Sequence, residues 1–418
     1  SNLARIASSL SIIPAKNLNC CKVNRTMSYR KFKADYLFDG YNILGPEQVL
    51  VTNGLGVVED IVDHRDAGEE VENLKGLISP GFINCHCHLE LSHLKGRIPM
   101  ETGLVDFVFS VVSRRKSTAG EIQEAIGLAA SEMLENGIVA VGDICNTADT
   151  IAQKSENRMA WYNFIELAGW LPDQAQNRFS AGKLLYDQFA GITNDLHHLS
   201  LSPHAPYSVS PELWNLLKTG FLRKTITIHN QETDAEDAFF ISGRGALLRM
   251  YEMMKIDNTQ FTATGKGSLS YFLHRLDQAK NILLVHNTYS SKKDLEQAVA
   301  FSPDLFLCLC PNANLYIENR LPDIPAMTDL KANLVIGTDS LASNHQLSVL
   351  EEIKTIRKHF PAIDTGSLLQ WATSNGARAL QFEQKLGDFK KGKQPGIVLI
   401  TYHGNDVLGR ESRCRRIL

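Results

Sequence analysis

The chain has 418 residues, 44% hydrophobic and 21% charged, which suits a globular protein with one large α/β domain and a smaller one. A net charge of −3 with a pI near 6.5 argues against a nucleic-acid polymer or an anionic membrane surface as partner, and no apolar run approaches transmembrane length. The eight cysteines (Cys20, Cys21, Cys85, Cys87, Cys145, Cys308, Cys310, Cys414) form no disulfide-like framework and no C-x-x-C, so reduced thiols in a cytoplasmic protein are the expectation.

Residues 1–26 carry Arg5, Lys16, Lys22 and Arg25, several serines and no acidic residue. This superficially resembles a transit peptide. Met27 opens a strand-rich segment, so residues 1–32 are expected to be a peripheral extension. Short β-type runs follow at Ala34–Leu37, Gln48–Thr52, Gly56–Val62 and Gly76–Ser79, with Asn53-Gly54 as a tight-turn signal between two of them.

After Gly81 strands and helices alternate. The expected strands are Gly81–His88, Ile138–Ile144, Trp161–Leu167, Leu199–His204, Thr225–His229, Ile282–His286, Leu305–Leu309 and Leu334–Thr338. Helical periods fall at Glu121–Leu134, Pro211–Leu217, Ser291–Ala300, Val349–Arg357 and Ser367–Leu380. Eight strands with intervening helices fit a closed, distorted (β/α)₈ TIM-type barrel better than an open doubly wound sheet. Leu386–His403 returns to strand character. It is expected to pair with the N-terminal strands in one small β-sandwich domain built from both chain ends, residues 33–80 and 385–418, around a barrel at 81–384.

The chemistry collects at strand ends. His86 and His88 close the first barrel strand, and alternation puts both imidazoles on one face with Cys85 and Cys87 on the other. Neutral imidazoles suit Zn²⁺ or Fe²⁺. Later apolar runs stop at His229, at His286 and at Asp339. Each alone also reads as a hydrogen-bonded terminal histidine or a helix-capping aspartate. Four such strand ends in one barrel point to a shared site at its C-terminal face. No P-loop, no G-x-G-x-x-G and no G-x-S-x-G competes, and His88-Leu89-Glu90 lacks the P-C-x-x-C half of the cytidine-type deaminase signature.

The ordered set Pro80-Gly81-Phe82-Ile83-Asn84-Cys85-His86-Cys87-His88, Pro203-His204-Ala205-Pro206-Tyr207-Ser208, His229-Asn230-Gln231-Glu232, Val285-His286, Cys310-Pro311-Asn312-Ala313-Asn314 and Gly337-Thr338-Asp339-Ser340 resembles the amidohydrolase superfamily. The resembled branch is that of the mononuclear adenosine-type, guanine and chlorotriazine aminohydrolases, over residues 33–403. The resemblance implies one divalent metal ion, Zn²⁺ or Fe²⁺, held by His86, His88, His229 and Asp339, and a metal-activated hydroxide. It implies Glu232 as proton carrier, His286 and Asp339 as groups that orient and deprotonate the water, and His204 as a substrate contact. Glu90 reads either as a holder of a substrate hydroxyl or as a salt-bridge partner at the barrel mouth. Two-metal members bridge their ions with a lysine on the fourth strand, and His197–His204 contains none.

The implied activity is hydrolytic deamination of an adenine-type nucleoside or related aromatic heterocycle, a small-molecule substrate. His88–Gly96 is similar to aminohydrolases of aminodeoxyfutalosine, whose carboxylate would need an arginine: Arg97, Arg114, Arg115 or Arg320. Ala313 stands where family members usually have Ser, a departure within the pocket, and adenosine, methylthioadenosine, S-adenosylhomocysteine and a chlorotriazine are the alternative substrates. Two other readings remain: hydrolysis of an imidazolone or guanidine C–N bond, and a non-catalytic binding barrel, against which the complete ligand set argues. Oligomeric state is not readable, although barrels of this type often form homodimers.

Overall fold

The computed structural model describes residues 29–404 and 406–418. The expected extension at 1–26 lies outside the described residues. The N-terminal strands are β1 (Tyr29–Lys33), β2 (Tyr36–Phe38), β3 (Ile43–Leu44), β4 (Gln48–Asn53), β5 (Val58–Asp63), β6 (Val71–Asn73) and β7 (Leu77–Pro80). Then come β8 (Phe82–Cys87), β9 (Ile138–Cys145), β10 (Ala160–Leu167), β11 (His197–Pro203), β12 (Thr225–Asn230), β13 (Asn281–His286), β14 (Leu305–Leu309) and β15 (Asn333–Ile336), and finally β16 (Ile397–Thr401) and β17 (Arg413–Arg416).

Two sheets are antiparallel or mixed, with strand orders β5-β4-β1-β6 and β17-β16-β7-β2-β3. The second joins the two chain ends, because β16 runs antiparallel to β7 with Ile397 opposite Pro80. Phe32, Leu50 and Val58 from the first sheet share a buried core with Leu37, Ile78, Ile397 and Leu399 from the second. Asn53 makes the expected turn, its Oδ1 accepting the N–H groups of Leu55 and Val57 at 2.9 and 3.1 Å. One expectation fails here. β1 lies inside the segment read as peripheral, yet it pairs with both β4 and β6. Its sequence YRKFK buries only Phe32, so the charged positions masked a central strand.

Two further sheets are parallel, in the orders β11-β10-β9-β8 and β12-β13-β14-β15. Strands β9, β12, β13 and β14 are buried at every residue, the continuous apolar pattern of parallel strands covered on both faces. Helices α1 (Leu104–Arg114), α2 (Ala119–Glu135), α3 (Ile151–Lys154), α4 (Ala175–Ala190), α5 (Pro211–Lys218), α6 (Ala235–Ser242), α7 (Ala246–Met254), α8 (Ser268–Phe272), α9 (Lys292–Phe301), α10 (Pro311–Glu318), α11 (Ile324–Asp329), α12 (Val349–His359), α13 (Thr365–Ala372) and α14 (Ser374–Ala379) connect and cover them. Local chemistry starts several of these: Thr118 and Glu121 cap α2 reciprocally, and proline opens α5 and α10. The single helix expected at Ser367–Leu380 is two, α13 and α14. Thr373 between them leaves helical geometry, with its hydroxyl donating to the Leu369 carbonyl at 2.7 Å.

Strand β8 also departs from simple alternation. Its register against β9 shifts between Asn84 and Cys87. Cys85 therefore packs with Val285, Cys308 and Val335, whereas Cys87 packs with Leu89 and Ile138 in a different cluster. The two cysteines do not share a face, as strict alternation had required.

Candidate active site

Four side chains from three stretches of chain converge where the parallel strands end. His86 and His88 come from the end of β8, His229 from β12, and Asp339 from the turn three residues past β15. His88 Nε2 lies 3.2 Å from His86 Nε2 and 3.3 Å from His229 Nε2. Asp339 Oδ1 lies 3.6 Å from His86 Nε2 and 3.4 Å from His88 Nε2. Donors bonded to one tetrahedral ion at 2.0–2.1 Å sit about 3.3–3.4 Å apart, so this donor set fits a single divalent cation.

The backbone is arranged to bring them this close. The N–H groups of Thr338 and Asp339 both donate to the His86 carbonyl at 3.0 Å, which ties the last parallel strand to the first. A Cβ on Gly337 would meet His86 Cβ at 2.8 Å, so only glycine lets the turn pass under that imidazole. Gln231, His286, Asn287 and Asp339 all adopt positive φ, a concentration of backbone strain at the site.

Hydrogen bonds set the tautomers. His229 Nδ1 donates to the His204 carbonyl at 2.8 Å, which leaves the Nε2 lone pair facing the other donors. His286 Nδ1 lies 2.8 Å from Asn314 Oδ1 in the same manner, and its Nε2 is 3.5 Å from Glu232 Oε1. Burial pushes His86 down to about 4 and His88 down to about 3, so both imidazoles are neutral near pH 7. Burial would raise Asp339, but the imidazoles of His86, His88 and His286 around it outweigh that and hold it ionised. Glu232 is pushed up to about 8 by burial, with His229 opposing and Asp339 adding to the rise. The buried Glu236 carboxylate fixes Glu232 by accepting its backbone N–H at 3.0 Å.

His88, His229, Glu232, His286 and Asp339 line a cavity of about 520 Å³, a volume suited to a small organic ligand. His204 lines it, with Nδ1 2.8 Å from Ser208 Oγ. Glu90 also lines it, but both its oxygens are engaged. Oε2 accepts from the N–H groups of Asn146 and Thr147 at 2.9 and 2.8 Å and from the Thr147 hydroxyl, while Oε1 pairs with Arg115. The structure thus matches the salt-bridge reading of Glu90. Arg97 is not among the cavity-lining residues. After the 3₁₀ turn Leu89–Leu94 the chain veers off, and Arg97 donates to Ser117 Oγ at 3.1 Å in a separate depression beside Glu121. Of the four arginines considered as carboxylate partners, Arg115 alone lines the cavity; Arg320 instead covers the Tyr289 ring at 4.4 Å.

The reading of the chain missed three contributors. Glu166, near the end of β10, is a cavity carboxylate with Oε1 3.5 Å from His229 Nδ1 and Oε2 accepting from Asn146 Nδ2 at 3.1 Å. A polar residue ending an apolar run was its signal, the same one that revealed His229 and His286. Arg178 from α4 lines the outer wall. Helix α1 supplies Leu104, Phe107, Val108 and Val111, and α7 supplies Met250 and Met254, as an apolar arm leading away from the histidines. The three-to-four spacing of those α1 residues was visible, but nothing in it says they face a ligand.

The match to the amidohydrolase family model runs over residues 77–409. This chain belongs to the amidohydrolase family. A 5-methylthioadenosine/S-adenosylhomocysteine deaminase of Teredinibacter turnerae is 26% identical over 351 residues, covering 79% of this chain and 73% of that protein. A 5'-deoxyadenosine deaminase of Methanococcoides burtonii is 23% identical, covering 87% of this chain and 82% of its own. Among solved structures, Helicobacter pylori aminofutalosine deaminase in complex with methylthio-coformycin superimposes with a TM-score of 0.75 at 20% identity, over 90% of this chain and 93% of that one. Guanine deaminase from C. acetobutylicum superimposes with a TM-score of 0.67 at 16% identity, over 89% and 91%. At these identities the structural likeness speaks for the fold.

Proposed function

We propose that this member of the family is a Zn²⁺-dependent aminohydrolase that removes the exocyclic amino group of an adenine nucleoside carrying an apolar 5' substituent. The observation that carries the reading is one cavity holding two things: three imidazoles and a carboxylate at single-ion spacing beside Glu232, and an apolar arm from α1 and α7. His86, His88, His229 and Asp339 would hold the ion. When bound, such an ion supplies a water whose pKa falls from 15.7 towards about 7.

The rest is work for the protein. Asp339 and His286 flank the water site and orient it towards the ring carbon that bears the amino group. Glu232, held by burial in the protonation range where a carboxyl can both give and take a proton near neutrality, carries a proton from the water to the adjacent ring nitrogen. A second transfer through Glu232 takes the remaining proton of the added hydroxyl to the amino group, which leaves as ammonia as the C–N bond breaks and the ring carbonyl forms. His204 contacts the bound nucleoside. Glu166 takes one hydrogen bond against four on Glu90, and it takes the sugar hydroxyls; Glu90 instead holds Arg115 at the cavity wall.

The same reading extends to architecture. The two parallel sheets are halves of one (β/α)₈ barrel, supported at one seam by the His229 N–H on the His204 carbonyl at 2.9 Å and at the other by Thr338 and Asp339 on His86. The two remaining sheets, sharing one core, form a β-sandwich from both chain ends.

The names of the relatives point to the substrates worth trying. Zn²⁺-loaded protein should release ammonia from 5'-deoxy- and 5'-alkylthio-adenosines, followed by a coupled ammonia assay and the ultraviolet change of the purine. Turnover confined to an imidazolone, a guanidine or a chlorotriazine would replace the proposed activity with another hydrolysis on the same site.

A further inference from the structure

Beneath the active-site cavity the chain buries a second pair of charges. Lys154, at the end of α3, and Asp143, in β9, are both wholly buried, with Lys154 Nζ 2.5 Å from Asp143 Oδ2. The ammonium also lies 3.2 Å from Cys145 Sγ and faces the rings of Trp161 and Phe189 at 5.0 and 5.1 Å. Burial alone would favour a neutral amine, but Asp143 beside it outweighs that and keeps Lys154 charged. Desolvating two ions is costly, and apolar residues of similar volume in such a place are often as stabilising or more so. Packing stability therefore does not account for the pair.

The second oxygen of Asp143 does. Oδ1 accepts the backbone N–H of Leu89 at 2.8 Å. Leu89 directly follows His88, at the point where the chain has left β8 after the register shift against β9. The sheet ladder has ended there, so the carboxylate replaces it as the partner of that N–H. The next residue, Glu90, is gripped in turn by Asn146 and Thr147, just beyond the end of β9. Asp143 of β9 and Asn146 and Thr147 of the turn after it thus hold the start of the segment leaving His88, with Arg115 added on the other oxygen of Glu90.

We propose that Asp143 is a positioning residue for the metal-binding imidazole of His88, acting through Leu89, and that Lys154 is the internal counter-charge that keeps its carboxylate in place. The proposal rests on the reading of His88 as a metal ligand and is independent of which substrate the enzyme takes. Partners one step removed from a ligand typically contribute 10–100-fold to metal affinity.

Two double variants separate positioning from folding. Asp143→Leu with Lys154→Met replaces the ion pair with apolar volume and leaves the Leu89 N–H without an acceptor. Asp143→Asn with Lys154→Met removes both charges but keeps a side-chain oxygen facing Leu89. The readouts are the zinc dissociation constant from chelator competition and the Tm of the metal-free chain. The Leu/Met protein should keep or raise the metal-free Tm while binding zinc about 10–100-fold more weakly. The Asn/Met protein should bind zinc close to the parent value. Parental zinc affinity in a folded Leu/Met protein, or equal losses in both variants, overturns the proposal. Should the Leu/Met protein not fold, the Asn/Met protein decides: retained affinity supports the assignment and a tenfold loss rejects it. A parent chain that binds no zinc would instead remove the metal-site reading itself, a separate outcome.

Discussion

The two ends of the cavity are built on different principles. At the inner end, every donor sits at or just past the end of a parallel strand, and the strands are locked laterally by hydrogen bonds such as Thr338 to His86. At the outer end, the wall is the apolar face of two helices, α1 and α7, packed together over the mouth. Strand ends fix the side chains they carry because the sheet cannot shear without breaking its ladder. Helix faces present surface rather than points, and surface can be altered one side chain at a time. The contrast assigns the chemistry to the inner end and the choice of substrate to the outer one.

The sharpest way to break that division is at Glu232. Glu232→Gln keeps the shape and the hydrogen-bonding capacity but cannot accept and return a proton. The variant should fold, bind the normal amount of metal and lose on the order of 10²–10⁴-fold in kcat, about 2.7–5.4 kcal/mol of transition-state stabilisation. Metal analysis beside steady-state kinetics reads both. Loss of metal together with activity would make Glu232 a ligand, and near-normal kcat would pass the proton work to His286.

A smaller effect is expected at the other end. Phe107→Ala removes a ring from the apolar arm without touching the donors. A buried aromatic side chain contributes about 1.5–3 kcal/mol, so kcat/KM for a nucleoside with a bulky apolar 5' group should fall about 10–100-fold. Adenosine, which lacks that group, should be nearly unaffected, and parallel assays of the two substrates measure the difference. An equal loss on both would mean that the arm supports the chemistry as well, and the division would not stand.

The same division explains what the sequence disclosed. His86, His88, His229, His286 and Asp339 were legible because a polar residue ending an apolar run is a pattern along the chain, and four repeats of it are hard to produce otherwise. Glu166 obeys that pattern too, as a polar residue near the end of the apolar strand β10. Arg97 misled, since its position near His88 in sequence says nothing about the turn after Leu94 that carries it away. The outer arm was illegible for a physical reason. Leu104, Phe107 and Val111 have the spacing of any helix packed on a core, and only the tertiary arrangement shows a cavity on that face. Strand β1 failed differently, because one buried residue, Phe32, is enough to seat a strand whose other positions are polar.

The smallest expected effect concerns Glu352, a helix residue that serves the inner end. From α12 its buried carboxyl accepts the Asn312 N–H at 2.9 Å and the side chains of Asn312 and Asn344 at 3.0 and 2.7 Å. Asn344 in turn donates to the Thr338 carbonyl at 2.9 Å, and α10, which starts beside Asn312, carries the Asn314 that holds His286. Burial pushes Glu352 up to about 8, although its three hydrogen bonds oppose this. Between the ordinary glutamate range near 4.3 and pH 8 the folded chain therefore keeps a proton that the unfolded chain releases. The unfolded state then binds fewer protons, and stability must fall as pH rises through that window, by at most about 1.4 kcal/mol per pH unit from this one group. Glu236 and Glu232, both also near 8, add slopes of the same sign, and buried imidazoles such as His86 and His88, held below their ordinary range, add slopes of the opposite sign, so the test is a difference. Urea unfolding of the metal-free parent and of Glu352→Gln at pH 5.5 and 7.5 should show the parent losing more stability, or gaining less, over that interval than the variant. A variant with the parental slope would mean that Glu352 is ionised in the fold, and that the asparagines around it hold a charge on the helix side of the strand-end machinery.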